Sequence, residues 1–517
     1  MTFEIVFVLL SLLGMVAALI ADKMRPGMIL FSVVVLFLCA GILTPKEMLE
    51  GFSNKGMITV ALLFLVSEGI RQSGTLGQVI KKLLPQGKTT VFKAQLRILP
   101  SVAFISAFLN NTPVVVIFAP IIKHWAKSVN LPATKFLIPL SYVTILGGIC
   151  TLIGTSTNLV VHGMILEAGF EGFSMFELGK VGIFIAIAGI IYIFLFSKRL
   201  LPDARPDTAV PDEEVEEGEK LHRVEAVLGA RFPGINKKLK DFNFQRHYGA
   251  EVKEIKTRNG QRFVSNLEEV VLHEGDTLVV MADDTFIPTW GESSVFVLLT
   301  NGNDPDTSGK KKRWLALILL VLMIVGATVG ELPATKEMFP DIKLDMFFFV
   351  CITTIIMAWT KIFPPKKYTK YISWDILITI ACAFAISKAM ENSGFAALIA
   401  RHIIGMSSSM GPYALLAIVF IITNIFTELI TNNAAAALSF PIALSVATQL
   451  GVDPTPFFVV ICMAASASFS TPIGYQTNLI VQGIGSYKFT DFVKIGLPLN
   501  LITFLISVFV IPMIWKF

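Results

Sequence analysis

Two stretches of this chain repeat each other almost residue for residue, 320 positions apart. One runs Thr151-Leu-Ile-Gly154-Thr155-Ser156-Thr157-Asn158-Leu-Val-Val-His162-Gly163. The other runs Thr471-Pro-Ile-Gly474-Tyr475-Gln476-Thr477-Asn478-Leu-Ile-Val-Gln482-Gly483. Thr, Ile, Gly, Thr, Asn, Leu, Val and Gly recur in register. Each copy is a polar, glycine-containing break inside an apolar segment long enough to cross a bilayer. Backbone groups freed at membrane depth cost several kcal/mol each unless a partner satisfies them. A break present twice points to a binding site built from two symmetry-related halves.

The apolar segments are abundant: Ile5–Ile20, Met28–Leu43, Val181–Phe196, Trp314–Val329 and Leu499–Ile514 are each close to the ~20 residues that span hydrocarbon. With 54% hydrophobic and 16% charged residues and a mean hydropathy of +0.69, the chain reads as a polytopic membrane protein. No Ala-x-Ala pattern follows the first run, so it is expected to be a retained helix. The net charge of +5 comes from cations in short loops beside the spans, and no nucleic-acid partner is expected. The five cysteines lie in apolar runs without metal-ligand or disulfide spacing.

Three blocks follow. Residues 1–200 form a first membrane repeat, with spans near 3–20, 27–43, 57–80, 134–162 and 177–197. Residues 313–517 form a second, with spans near 314–330, 344–361, 372–391, 454–482 and 493–514. The regions 93–126 and 393–449 are apolar but polar at their centres, and are expected to be re-entrant hairpins. Lys and Arg crowd alternate loops, at Lys23/Arg25, Lys81/Lys82, Lys123/Lys127, Lys198/Arg199, Lys310–Arg313 and Lys366/Lys367. All of these face the cytoplasm only if the halves have opposite topology, with both termini outside. The expected fold is an all-α inverted repeat, each half holding five transmembrane helices and one re-entrant hairpin, in the inner membrane of the cell. Residues 203–295, between the cation-rich ends, read as a small cytoplasmic α/β domain. It should have strands at 221–229, 252–255 and 277–281, a helix at 235–243 and a turn at Asn259-Gly260.

Four polar clusters sit at membrane depth: the two breaks, and the hairpin tips Asn110-Asn111-Thr112 and Thr431-Asn432-Asn433. Setting Pro120 against Pro441 aligns Asn111 with Asn432, and Ser106 with Thr427, each hydroxyl five residues before its Asn. Carbonyls, Asn oxygens and hydroxyls are hard neutral ligands for Na⁺, while helix N-termini suit an anion. Two symmetric cation sites flanking one anion site is the economical reading. Against it, such residues also glue helices together, and Thr155, Ser156 and Gln476 fit either role. Glu68 and Glu428 could carry protons or tie helix ends. Glu50 and Lys55 look like solvated loop charges.

These motifs, with Gly51-Phe52-Ser53-Asn54 before a span, resemble the divalent-anion/sodium symporter family of the ion transporter superfamily, which includes the sodium/sulfate and sodium/dicarboxylate carriers. The resemblance covers both membrane halves. It implies one Na⁺ site from Ser106, Asn111, Gly154 and Asn158, and a second from Thr427, Asn432, Gly474 and Asn478. The anion would lie among Asn110, Asn111, Thr112, Thr155, Ser156, Thr431, Asn432, Asn433, Gln476 and Thr477. The family's Ser-Asn-Thr tip keeps only its central Asn in both copies here. The resemblance further implies a homodimer and an elevator-type mechanism. The middle block, with Pro233-Gly234 and Glu274-Gly275-Asp276-Thr277, resembles the ligand-binding C-terminal (TrkA-C) module of potassium-uptake regulators, which implies a small regulatory ligand.

The expected function is sodium-coupled symport of a small divalent anion, sulfate before C4-dicarboxylate, with proton coupling as a variant. A ligand-gated channel lacks a continuous polar pore helix. An enzyme lacks a nucleophile–base constellation, since the six histidines are scattered.

Overall fold

The computed structural model describes residues 3–21, 24–85, 87, 89–203, 222–229, 232–257, 261–283, 286, 290, 295–300, 310–339, 342–406, 411–472 and 474–517. The expected Asn259-Gly260 turn and most of both linkers, 204–219 and 301–309, lie outside the described residues.

The chain is a polytopic helical membrane protein whose helices recur in two matched series. The first series runs Phe3–Ala21, Pro26–Cys39, Lys55–Gln72, Thr75–Leu83, Val91–Ser106, Asn111–Ser128, Leu137–Gly148, Ser156–Glu167 and Gly179–Leu200. The second runs Lys310–Gly330, Met346–Trp359, Trp374–Asn392, Phe395–Met406, Gly411–Leu429, Asn432–Leu450, Thr455–Ser466, Gln476–Gly485 and Phe489–Ile514. Among the described residues seven helices are long and apolar enough to cross a membrane. Gly411–Leu429 and Asn432–Leu450 are among them, whereas their counterparts Val91–Ser106 and Asn111–Ser128 are not.

Several expected spans divide. The 134–162 and 454–482 segments each become two helices flanking the break. The 57–80 segment also divides, because Gly74 takes a left-handed conformation (φ +71°) that only glycine adopts without strain. Gly394 does the same at the matched position (φ +74°). The short helices that follow, Thr75–Leu83 and Phe395–Met406, are therefore equivalent, although the first had been counted within a span and the second within a hairpin.

The two series interlock. Pro26–Cys39 packs on Trp374–Asn392, and Met346–Trp359 packs on Lys55–Gln72. Polar ties at matched positions reinforce this exchange. Lys55 pairs with Asp345, and Asp375 accepts the Gly27 amide at 3.3 Å. Lys55 is thus a tie between the halves rather than a solvated loop charge. Glu68 lies one helical turn before Arg71, which it meets at 2.6 Å, and it also accepts from Gln72. Lys388 and Glu391 form the same i,i+3 pair in the other half with the charges exchanged.

The insert is a five-stranded antiparallel sheet in the order β3-β2-β4-β1-β5. Its strands are β1 (His222–Leu228), β2 (Glu251–Lys256), β3 (Arg262–Phe263), β4 (Thr277–Ala282) and β5 (Phe296–Thr300). The last strand carries the sheet beyond residue 295. Residues 235–243 do not form the expected helix, because their backbone pairs across space instead. Asn236 donates to Leu272 (2.8 Å) and Leu239 to Val270 (3.0 Å). The helix follows at Phe244–Tyr248 and packs in an aromatic cluster with Phe232 and Phe296.

Candidate functional site

Four helices begin at the site: Asn111–Ser128, Ser156–Glu167, Asn432–Leu450 and Gln476–Gly485. The residues preceding them, Asn110, Thr155, Thr431 and Tyr475, make no side-chain cap. Their first amides are thus left without the usual side-chain acceptor. The helices cross between repeats: Asn111–Ser128 packs on Gln476–Gly485, and Asn432–Leu450 on Ser156–Glu167. Offset alone shows which residues are equivalent. The structure adds that each tip faces the other half's break.

In the first crossed pair, Ser106 donates to Asn111 Oδ1 at 2.8 Å, and Asn111 Nδ2 donates to the Tyr475 hydroxyl at 2.6 Å. That hydroxyl also meets Thr155 Oγ1 at 3.0 Å. Thr112 donates to Gln476 Oε1 at 3.3 Å on the exposed side. In the second pair, Asn433 Oδ1 accepts from Ser156 (3.3 Å) and Thr157 (3.2 Å). Thr431 Oγ1 is buried and makes no hydrogen bond. A hollow opens beside Asn110 and Ser156, walled by Val60, Leu63, Leu320 and Met323.

Oxygens crowd both glycines of the breaks. A Cβ on Gly154 would lie 2.5 Å from the Gly148 carbonyl and 3.0 Å from that of Ala107. A Cβ on Gly474 would lie 2.3 Å from the Thr427 carbonyl and 2.0 Å from Ser468 Oγ. Asn111 Oδ1 reaches the same region, at 2.6 Å from a Cβ on Gly148. The break hydroxyls are pinned alike: Thr151 donates to the Ala107 carbonyl, and Thr471 to that of Glu428 (3.1 Å).

The sequence-predicted residues divide by environment. Asn158 and Asn478 turn back onto their own breaks, donating to the Thr151 carbonyl (2.9 Å) and to those of Ser468 (2.9 Å) and Thr471 (3.2 Å). Asn158 Oδ1 is a buried acceptor without a hydrogen bond. Ser141 donates to Asn478 Oδ1 (2.7 Å) and shares a hydrogen bond with Thr477 Oγ1 (2.8 Å), which braces them away from the tips. Thr427 does not copy Ser106: its hydroxyl donates to the Ala465 carbonyl at 2.6 Å. Glu428 accepts from the Ser470 amide (2.9 Å) and from Asn500 (2.7 Å), so it ties the second break to its tip.

A family described as citrate transporter matches the chain over residues 16–351 and 336–517. The chain belongs to this ion-transporter family. An uncharacterized transporter of Synechocystis sp. is 30% identical, over 93% of this chain and 92% of its own length. The uncharacterized transporter YfbS of Escherichia coli is 25% identical, over 99% of this chain and 100% of its own. Sodium/sulfate cotransporter 2 of Chlamydomonas reinhardtii is 29% identical, over 56% of this chain and 32% of its own. The protein is therefore a multi-pass membrane transporter and not an enzyme. Ser141, Ser468 and Asn500 are absent from the sequence-predicted residues, whereas Tyr475-Gln476 set against Thr155-Ser156 already marks where the identity of the anion is to be sought. Those three carried no signal, because single polar residues in apolar helices are common.

Proposed function

We propose that the protein is a sodium-coupled symporter for a small divalent anion, sulfate before C4-dicarboxylate, working by an elevator-type alternation. The observation that carries this reading is the meeting of four uncapped helix N-termini from both repeats. Each presents partial positive charge and free amides, and together they can hold an anion with neutral groups alone. Two oxygen-rich pockets flank them. Ser106, Asn111, Gly154 and Asn158 would supply the first Na⁺ site, and Thr427, Asn432, Gly474 and Asn478 the second. Asn110, Thr112, Thr155, Ser156, Thr431, Asn433, Gln476 and Thr477 would complete the anion site. The two tips would be re-entrant, with the insert cytoplasmic, regulatory and TrkA-C-like, and the protomers paired as homodimers in the inner membrane.

An asymmetry of packing supports alternation. Lys55–Gln72 packs on Ser156–Glu167, and Trp374–Asn392 on Asn432–Leu450. Both of these helices therefore clasp the second crossed pair. In an inverted repeat, exchanging that clasp for the equivalent one on the first pair generates the opposite-facing state.

Uptake of labelled sulfate into proteoliposomes tests the proposal. A sodium gradient should drive saturable accumulation. Uptake indifferent to Na⁺ would remove the coupling claim, and a linear, non-saturating flux would favour a channel.

A further inference from the structure

Thr155 and Tyr475 occupy the same register of the two breaks and share one backbone conformation, with φ/ψ of −139°/145° and −131°/128°. The difference between them is therefore one of side chain alone. Neither choice follows from helix initiation at position 475, where Ser, Thr, Asp or Asn would cap and a phenol does not. The ring is buried, with 7% of Tyr475 exposed. Its hydroxyl reaches from the second break to Thr155 of the first, and accepts from Asn111 of the first tip. A buried phenol needs one hydrogen-bond partner, and Phe would fill the same volume without needing any. Here the hydroxyl has two partners, one from each side of the site, both among the groups at which the four helix N-termini converge.

We infer that Tyr475 is the specificity-determining residue of this carrier, selecting a compact tetrahedral oxyanion over a chain-bearing dicarboxylate. The inference rests on the anion-symport reading above. The ring fills space that a strictly two-fold site, with Thr on both sides, would leave open. The gap between the tips then suits an anion whose charges share one centre. A four-carbon dicarboxylate must separate its charges along a chain, and the ring stands in that path. When the anion enters, the Asn111 amide turns from the tyrosine oxygen to the anion, and the hydroxyl turns from Thr155 to donate a hydrogen bond to an anion oxygen. A hydrogen bond to a charged group is among the stronger ones.

The test uses full-length protein in detergent with saturating Na⁺, and sulfate and succinate as probes. Wild-type protein should bind sulfate and reject succinate. Tyr475→Phe keeps the ring and should weaken sulfate binding about tenfold or more while still rejecting succinate. Tyr475→Thr copies the first break and should weaken sulfate but admit succinate. Thermal unfolding in Na⁺ alone verifies that both variants fold. Wild-type preference for succinate overturns the inference and leaves anion symport standing. So does a Phe variant with unchanged sulfate affinity paired with a Thr variant of unchanged selectivity. Wild-type binding of neither anion removes the symport reading itself, and this inference with it.

Discussion

The two crossed pairs of tip and break are alike at their centres and different at their edges. In each, an asparagine begins the tip helix and a glycine sits under converging oxygens, while within each repeat a Thr pins the break to the carbonyl just before that repeat's own tip. Around that centre the pairs diverge. Behind the second tip stands Glu428, where the first has Ala107. Tyr475 begins one broken helix and Thr155 the other. The insert rests on the first pair, where Glu225 meets Lys123 of the tip helix, and Gly275 and Thr277 approach Leu479 and Gly483 of the broken helix. The duplicated centre is what two cation sites require. The diverged edges are where selectivity and control can be placed without disturbing it.

The sharpest way to break the comparison is at the asparagines. Asn111→Ala and Asn432→Ala should each reduce sodium-driven sulfate uptake at least a hundredfold, with expression retained. Each removes a tip oxygen, and Asn111→Ala also leaves the buried Ser106 hydroxyl without its acceptor. If one variant keeps substantial uptake, the two halves do not both bind. The glycines come next. Gly154→Ala and Gly474→Ala push a methyl into carbonyl oxygens and should raise the Na⁺ concentration for half-maximal anion binding about tenfold or more. Gly474→Ala should have the larger effect, because its Cβ would lie 2.3 Å from the fixed Thr427 carbonyl against 2.5 Å from the Gly148 carbonyl for Gly154.

Glu428 separates proton coupling from architecture. As a tie between break and tip, Glu428→Gln keeps one acceptor and loses charge-assisted bonds, so thermal stability should fall by about 1–3 kcal/mol. Its uptake should remain sodium-dependent, with the pH profile of the wild type. A variant that folds normally but whose uptake loses a pH dependence present in the wild type would make Glu428 the proton carrier.

Much of this was legible in the sequence because a duplicated gene leaves its offset behind. The breaks, the tip asparagines and the insert's first and fourth strands all follow from repeat and pattern. What failed did so for local reasons. Gly74 ends a helix within the polar stretch Arg71-Gln72-Ser73-Gly74-Thr75, which a span drawn on to residue 80 overran. Residues 235–243 have a helical composition, but residues 270–272 offer their backbone a better partner. Glu68 looked isolated until Arg71, one turn along, was placed beside it. Tyr475 stands out in the sequence as a point where the two breaks differ, but no pattern in one chain shows that its hydroxyl reaches the opposite half.

The smallest expected effect lies at the insert. Lys123 Nζ stands 2.9 and 3.0 Å from the two carboxylate oxygens of Glu225, and Lys256 of β2 approaches the same group at 3.4 Å. Burial alone would raise the carboxyl's pKa, but Lys123, Lys256 and Arg223 together hold it down at about 2. Because the folded value lies below the ordinary 4.5, this contribution to stability is complete above about 4.5 and fades as pH falls from there towards about 2. The pair should therefore be indifferent to pH between 6 and 8. Glu225→Gln removes the carboxylate between Lys123 and Lys256, while Lys256 keeps Glu254 at 3.9 Å. The substitution should loosen docking about tenfold, read as faster hydrogen exchange in Gln476–Gly485 and β1 than in Ser156–Glu167. Sulfate affinity should stay within about twofold, since Glu225 touches none of the tip or break residues, while the maximal rate of uptake changes. Exchange that rises equally in both broken helices would mean that the insert stabilises the whole membrane core. A rise confined to the first crossed pair, with an altered rate, would make the insert a clamp on one half of an otherwise duplicated site.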